Sequence, residues 1–255
     1  MISDETKWIV RTRSNHQPRV RLFCLPHAGG AANVYRRWHS GFPAEIQVCA
    51  IELPGRATRW SERAIDDAHE LAETTAEALL PYLDRPFAIF GHSMGALLAF
   101  EVARALRRKA RREPFLLIAS GRGAPQCAPT EPRITHLPER EFIERLQARY
   151  QAIPQEVLAE PELLRFVVPL LRADLTLIET YAWTPDAPLA CRIAAFGGAF
   201  DALVPEASLA AWREQTNGSF GVRMFPTGHF FSGTAEDLVL SAVADEIGHS
   251  FEPEL

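Results

Sequence analysis

Gly91-His92-Ser93-Met94-Gly95 sets a serine between two glycines at G-x-S-x-G spacing. A serine so placed sits on a sharp strand-to-helix turn with its hydroxyl clear of the backbone. The glycines leave room where side chains would strike the neighbouring strand and helix. With 15 glycines and 11 serines in 255 residues, chance supplies about 0.04 such patterns. The context also fits, because the apolar run 87–91 leads in and a long Ala-rich helical pattern leads out.

A serine hydroxyl is a weak nucleophile at neutral pH, so a base must take its proton and a third group must hold that base in one tautomer. For a serine on such a turn the partners follow in the order Ser, Asp or Glu, His, each on a loop after a strand. Asp201 stands in the loop after the apolar run CRIAAFGG, and His229 follows the run ending at Thr227-Gly228. Asp201 is several residues too early to cap a helix starting near Pro205, and the segment after residue 120 has no carboxylate until Glu131. Asp174 and Asp186 fall in a stretch without strands. His16, His39, His69, His136 and His249 lie in the N-terminal arm, in helices or in that stretch, while His92 takes the variable position of the turn.

Attack on a carbonyl creates an oxyanion, which needs preorganised N–H donors. One is the backbone N–H of the residue after the nucleophile, here Met94. The second is expected from the loop after the first core strand, Pro26-His27-Ala28-Gly29-Gly30, with Ala28 as the donor. Its glycines let backbone N–H groups turn inward. The plainer alternative for Gly29-Gly30 is a flexible strand-to-helix turn.

Positioning these groups takes a sheet flanked by helices. Apolar runs at 20–26, 46–55, 87–91, 115–121, 191–198 and 220–228 read as strands. They alternate with helical patterns at 32–40, 66–84, 94–109, 205–216 and 234–248. That rhythm predicts an α/β fold with a mostly parallel, doubly wound sheet. Residues 124–188 break it with Pro-punctuated amphipathic helices, which predicts a helical lid inserted into a single domain spanning 1–255.

Composition sets the outer bounds. A chain of this length buries roughly 70–75% of its unfolded surface and needs neither disulfide nor metal to hold a core. Its 27 basic and 32 acidic residues give a formal charge of −5, which suits small molecules or specific proteins better than nucleic acid. Cys24, Cys49, Cys127 and Cys191 are far apart and form no zinc spacing with histidine. Cys24, Cys49 and Cys191 read as small buried hydrophobes in a reducing compartment. The first ten residues are too charged for a signal-peptide core, and no apolar stretch approaches the roughly 20 residues of a membrane span. The expectation is a cytoplasmic monomer with no metal and no cofactor.

With these residues placed, the chain resembles the type II thioesterases, free-standing editing enzymes of nonribosomal peptide and polyketide synthases in the α/β-hydrolase superfamily. The resemblance spans nearly the whole chain. It rests on Leu25-Pro26-His27-Ala28-Gly29-Gly30, on Leu53-Pro54-Gly55-Arg56, on Phe90-Gly91-His92-Ser93-Met94-Gly95, on Phe196-Gly197-Gly198 followed by Asp201, and on Gly228-His229-Phe230-Phe231. It implies an α/β-hydrolase fold whose helical insertion is a lid. It also implies a substrate that the triad alone does not name: an acyl or aminoacyl thioester on the phosphopantetheine arm of an acyl or peptidyl carrier domain.

Substrate contacts are expected from His27 and Phe230, from Arg56 at the site mouth, and from Phe142, Phe166 and Leu170 on the apolar face of the insertion. That face also offers Leu146, Leu163, Val167 and Leu171, with Pro169 as a kink; its plainer reading is packing on the sheet. Arg104, Arg107, Arg108, Lys109, Arg111 and Arg112 read either as a solvated helix end complementing the macrodipole or as a dock for an acidic carrier domain. Two other functions fit the same scaffold: a small-molecule carboxylesterase sharing the triad, and a noncatalytic binding protein that dispenses with it.

Overall fold

The computed structural model describes residues 7–11, 18–128, 131–231 and 233–251; His16 and the first six residues invoked above lie outside them. Seven strands form one sheet: β1 (Ile9–Arg11), β2 (Val20–Leu25), β3 (Ile46–Ile51), β4 (Phe87–His92), β5 (Leu116–Ser120), β6 (Arg192–Gly198) and β7 (Phe220–Phe225). Their order is β1-β3-β2-β4-β5-β6-β7. Every neighbouring pair is parallel except β1 with β3. The helices are α1 (Ala68–Leu79), α2 (Met94–Ala110), α3 (Glu139–Tyr150), α4 (Gln155–Leu158), α5 (Pro161–Thr180), α6 (Glu206–Ala210) and α7 (Thr234–Ser250). This is the mostly parallel α/β architecture expected from the alternation of runs.

Successive strand residues point to opposite faces, and a parallel sheet is covered on both. Phe23, Leu25, Cys49, Ile51, Ile89 and Leu117 accordingly share a core with α1 and α2. Their sequence neighbours Leu22, Cys24, Val48, Ala50, Phe90 and Ile118 share the opposite core with α7. The four cysteines are free thiols. Burial pushes Cys49 and Cys191 up to about 12 and raises Cys24 as well, so these three are inert packing groups.

Three local expectations change. Residues 32–40 form two separate 3₁₀ turns, Ala32–Tyr35 and Trp38–Ser40. Buried aromatics shape them: the Tyr35 hydroxyl donates to the Leu25 carbonyl at 2.6 Å, and Trp38 packs on Phe90 with ring centroids 4.7 Å apart. The helix expected over 66–84 is capped by Asp67, whose side chain accepts from the Glu70 N–H, and ends at Leu79 because Pro81 lacks the N–H to continue it. Strand β1 carried no alternation long enough to notice, yet Ile9 is buried against β3.

Residues 134–180 hold three helices with a hydrophobic cluster of their own, formed by Ile134, Phe142, Leu146, Ile153, Val168, Leu171 and Leu175. The inward face of α5 therefore runs through Val168, Leu171 and Leu175, at spacings of three and four. Leu163 and Phe166 fall off that face and are 47% and 72% exposed, so the apolar stripe expected there is divided between packing and solvent. The segment is tied to the sheet layer by Asp174, which is fully buried and accepts from Arg56 at 2.7 and 3.0 Å.

Candidate active site

The turn from β4 into α2 holds Ser93 at φ 54°, ψ −113°, backbone angles that persist only where surrounding structure enforces them. The flanking glycines show the enforcement. A Cβ on Gly91 would lie 2.0 Å from the Gly95 carbonyl oxygen, and one on Gly95 would lie 2.2 Å from that of Leu25. The Ser93 N–H donates to the Ser120 carbonyl at 2.8 Å, which ties the turn to β5.

Ser93 Oγ is 3.0 Å from His229 Nε2, and His229 Nδ1 is 2.8 Å from Asp201 Oδ2. Asp201 lies beyond the C-terminal end of β6, with its side chain 1% exposed. Its second oxygen accepts the Leu203 N–H at 3.0 Å, so the carboxylate is held by its own loop and does not cap α6. The loop carrying His229 crosses Gly198, where a Cβ would meet the Gly228 carbonyl at 2.2 Å. It is closed by the Thr227 hydroxyl donating to the Phe230 carbonyl at 3.0 Å.

Among the described residues, two backbone N–H groups beside Ser93 are left without a partner. In the loop after β2, Gly29 N–H donates to Asp174 Oδ2 at 2.7 Å and Gly30 N–H to the His27 carbonyl at 2.9 Å. The Ala28 N–H has no acceptor among the described residues. Met94 opens α2, where a helix leaves its first N–H groups unpaired. Leu171 packs so closely on Gly29 that an added Cβ would lie 2.6 Å from its Cδ2, which braces the loop from α5.

His92 is buried with its Nδ1 3.1 Å from Ser120 Oγ. Its ring lies beneath His229 and Phe231, at centroid distances of 5.4 and 4.9 Å. Burial, reinforced by His229 and His27, holds its pKa well below 6.5; His27 is lowered as well, mainly by burial. Burial therefore favours the neutral form of both imidazoles, and the His92 ring packs against His229 while His27 packs against His92 and Phe230.

Ser93 and His229 open into a cavity of about 520 Å³, lined also by His27, Ala28 and Phe230. A second hollow of about 410 Å³ meets it at His27, Ala28, Ala152 and Phe230. The other expected substrate contacts are not on these walls. Arg56 is buried behind the loop after β2, bound to Asp174 and to the Gly30 carbonyl at 3.0 Å. Phe142 is fully buried between α3 and α5, Phe166 faces solvent, and Leu170 is half-buried outside the cavity. Of the apolar face expected on the insertion, Leu146 and Leu171 do reach the wall, which Leu175, Ile178, Tyr150, Tyr181 and Arg122 complete.

The basic run at the end of α2 is not a free cationic patch. Arg104 is buried against Glu101, Arg107 binds Asp186, and Arg108 and Lys109 bind Glu73 of α1. At 1.5 Å per residue the helix also places the run from about 16 Å to about 25 Å along its axis from Ser93. Among the described residues no cluster of metal-ligating side chains forms, and no helix is long and apolar enough to cross a membrane.

A serine on a strained strand-to-helix turn, bonded to a histidine that in turn bonds a buried aspartate at the C-terminal edge of a parallel sheet, defines a serine hydrolase of the α/β-hydrolase class. Residues 20–251 match the family model described as a thioesterase domain, and the chain belongs to that family. It is 42% identical over 230 residues to the gramicidin S biosynthesis protein GrsT of Aneurinibacillus migulanus, covering 90% of each chain. RedJ, the thioesterase of the prodiginine pathway in Streptomyces coelicolor, superposes with a TM-score of 0.84 at 36% identity, covering 91% of this chain and 87% of that one. The type II thioesterase BorB from the borrelidin cluster gives 0.85 at 34% identity over 97% and 99%. The resemblance to type II thioesterases read from the motifs therefore stands.

Proposed function

We propose that this thioesterase hydrolyses acyl or aminoacyl groups from the phosphopantetheine arm of carrier domains in a nonribosomal peptide or polyketide assembly line, with Ser93 as nucleophile, His229 as general base and Asp201 as the group that orients it. The observation that carries the reading is the unbroken hydrogen-bonded chain from Ser93 through His229 to Asp201 at the edge of the 520 Å³ cavity. His229 takes the hydroxyl proton as Ser93 attacks the thioester carbonyl, and the N–H groups of Ala28 and Met94 stabilise the oxyanion. A thiol leaves, and water activated by His229 then cleaves the acyl-serine. A thiolate is a good leaving group, so protonation of the departing atom matters less than in amide hydrolysis. We read residues 1–255 as one domain, the helices of 124–188 as its lid, and the protein as a monomer of the cytoplasm that needs no cofactor of its own.

Acyl-phosphopantetheinyl carrier proteins and p-nitrophenyl esters of the same acyl groups separate this reading from a small-molecule carboxylesterase. The expected result is kcat/KM at least about tenfold higher on the carrier-bound thioesters, a difference of about 1.4 kcal/mol in transition-state binding. Preference for the free esters would overturn it.

A further inference from the structure

Ser120-Gly121-Arg122-Gly123 carries the chain out of β5 and sets Arg122 on the wall shared with Ser93 and His229. The backbone there is held firmly. Gly121 takes φ 61° under the His92 ring, where a Cβ would lie 2.5 Å from Cε1. Its N–H donates to the Phe196 carbonyl at 2.8 Å, and the Trp212 indole N–H donates to the Arg122 carbonyl at 2.8 Å.

The side chain has no comparable partner. Among the described residues every other arginine that is not exposed places its guanidinium on a carboxylate or carbonyl acceptor, whereas Arg122 has none. The carboxylates of the cavity wall are engaged elsewhere. Glu131 pairs with Arg149 at 3.4 Å, and Glu179 accepts from the Ile134 N–H at 2.8 Å and the Thr135 hydroxyl at 2.6 Å. Burial lowers the pKa of the guanidinium from its usual value, and Tyr150 and Tyr181 nearby oppose that shift. Tyr150 also lies against His229, with ring centroids 5.8 Å apart. A half-buried guanidinium stays charged, and leaving it without an acceptor is unfavourable. A guanidinium so placed is free to receive an anion brought in by a ligand.

We propose that Arg122 receives the distal carboxylate of a short acyl group whose thioester carbonyl sits at Ser93, so that the pocket selects dicarboxylic acyl thioesters of the malonyl or succinyl type over neutral chains of equal length. This rests on the thioesterase reading above. A planar guanidinium offers two parallel N–H donors to a carboxylate. Neighbouring strands stand roughly 4.8 Å apart and a strand residue advances about 3.3 Å, so the Arg122 backbone lies within about 12 Å of Ser93. That span suits a short acyl chain, whereas an extended phosphopantetheine arm holds its phosphate much farther from its sulfur.

N-acetylcysteamine thioesters, which carry neither phosphate nor carrier, test the proposal. The wild-type enzyme is expected to cleave the succinyl thioester with kcat/KM at least about tenfold above the butyryl thioester. In Arg122→Met that ratio falls to about one, and Arg122→Lys retains part of it. A wild-type ratio near one, or a ratio unchanged in Arg122→Met, overturns the proposal. The wild-type ratio decides the matter even if the variants fail to fold. Butyryl-pantetheine and butyryl-4′-phosphopantetheine form the second arm. A preference for the phosphorylated arm that disappears in Arg122→Met would assign the anion site to the arm and overturn the acyl assignment. Failure to cleave any of these thioesters would sink the thioesterase reading instead.

Discussion

Three side chains distant in sequence meet at Ser93 because each stands on a loop at the same edge of the sheet. Ser93 follows β4, Asp201 follows β6 and His229 follows β7. What surrounds them also matters, since burial favours the neutral form of His92, packed on His229, and of His27, packed on His92. An unfolded chain takes up protons on these imidazoles near pH 6.5, while the folded chain resists, so below that pH the unfolded state binds more protons and stability falls. Urea midpoints measured from pH 7.5 down to 5 should decline by up to about 1.4 kcal/mol of stability per pH unit for each such ring. The decline should be shallower in His92→Gln. An equal slope in that variant would show that His92 titrates freely in the folded protein.

At the scale of elements, the buried Arg56–Asp174 pair joins the loop after β2 to α5. Asp174 accepts from Arg56 and from the Gly29 N–H at once, so one carboxylate fixes both the segment behind the cavity and the loop that presents Ala28. Asp174→Ala leaves a buried guanidinium unpaired and is expected to destabilise the fold by about 3–5 kcal/mol, measured by chemical denaturation. Loss below about 1 kcal/mol would mean that the two elements are held by packing alone. This pair bridges 118 positions and leaves no local spacing signal, which is why Arg56 read as a mouth residue and Asp174 only as an acid within the insertion. The turn at Ser93 was legible for the opposite reason. Its constraint is local, and the carbonyls that exclude a Cβ at Gly91 and Gly95 act within the motif or on the adjoining strand. Strand alternation was legible through the same kind of local repeat, whereas β1 is too short to show one. On α5 the apolar residues outnumber the inward positions, so composition alone could not say that Leu171 and Leu175, and not Phe166 or Leu170, reach the cavity.

For the whole molecule, the arginine run at the end of α2 reads either as a solvated helix end or as a dock for a carrier domain, and its partners favour the first. With Arg108 and Lys109 on Glu73 and Arg107 on Asp186, its charge is largely matched within the chain, and exposed pairs of this kind contribute little to stability. Reversing charge at Arg108 and Arg111 should leave KM for an acyl carrier protein within about twofold of wild type. A tenfold rise confined to carrier-bound substrate would restore the docking role. The account as a whole stands on Ser93 acting as the nucleophile toward a carrier-bound thioester. Intact-protein mass spectrometry of an acyl carrier protein incubated with enzyme measures this directly. The wild-type enzyme should return the carrier to its free-thiol mass, and Ser93→Ala should do so at least about 10³-fold more slowly. Equal rates for the two would contradict it.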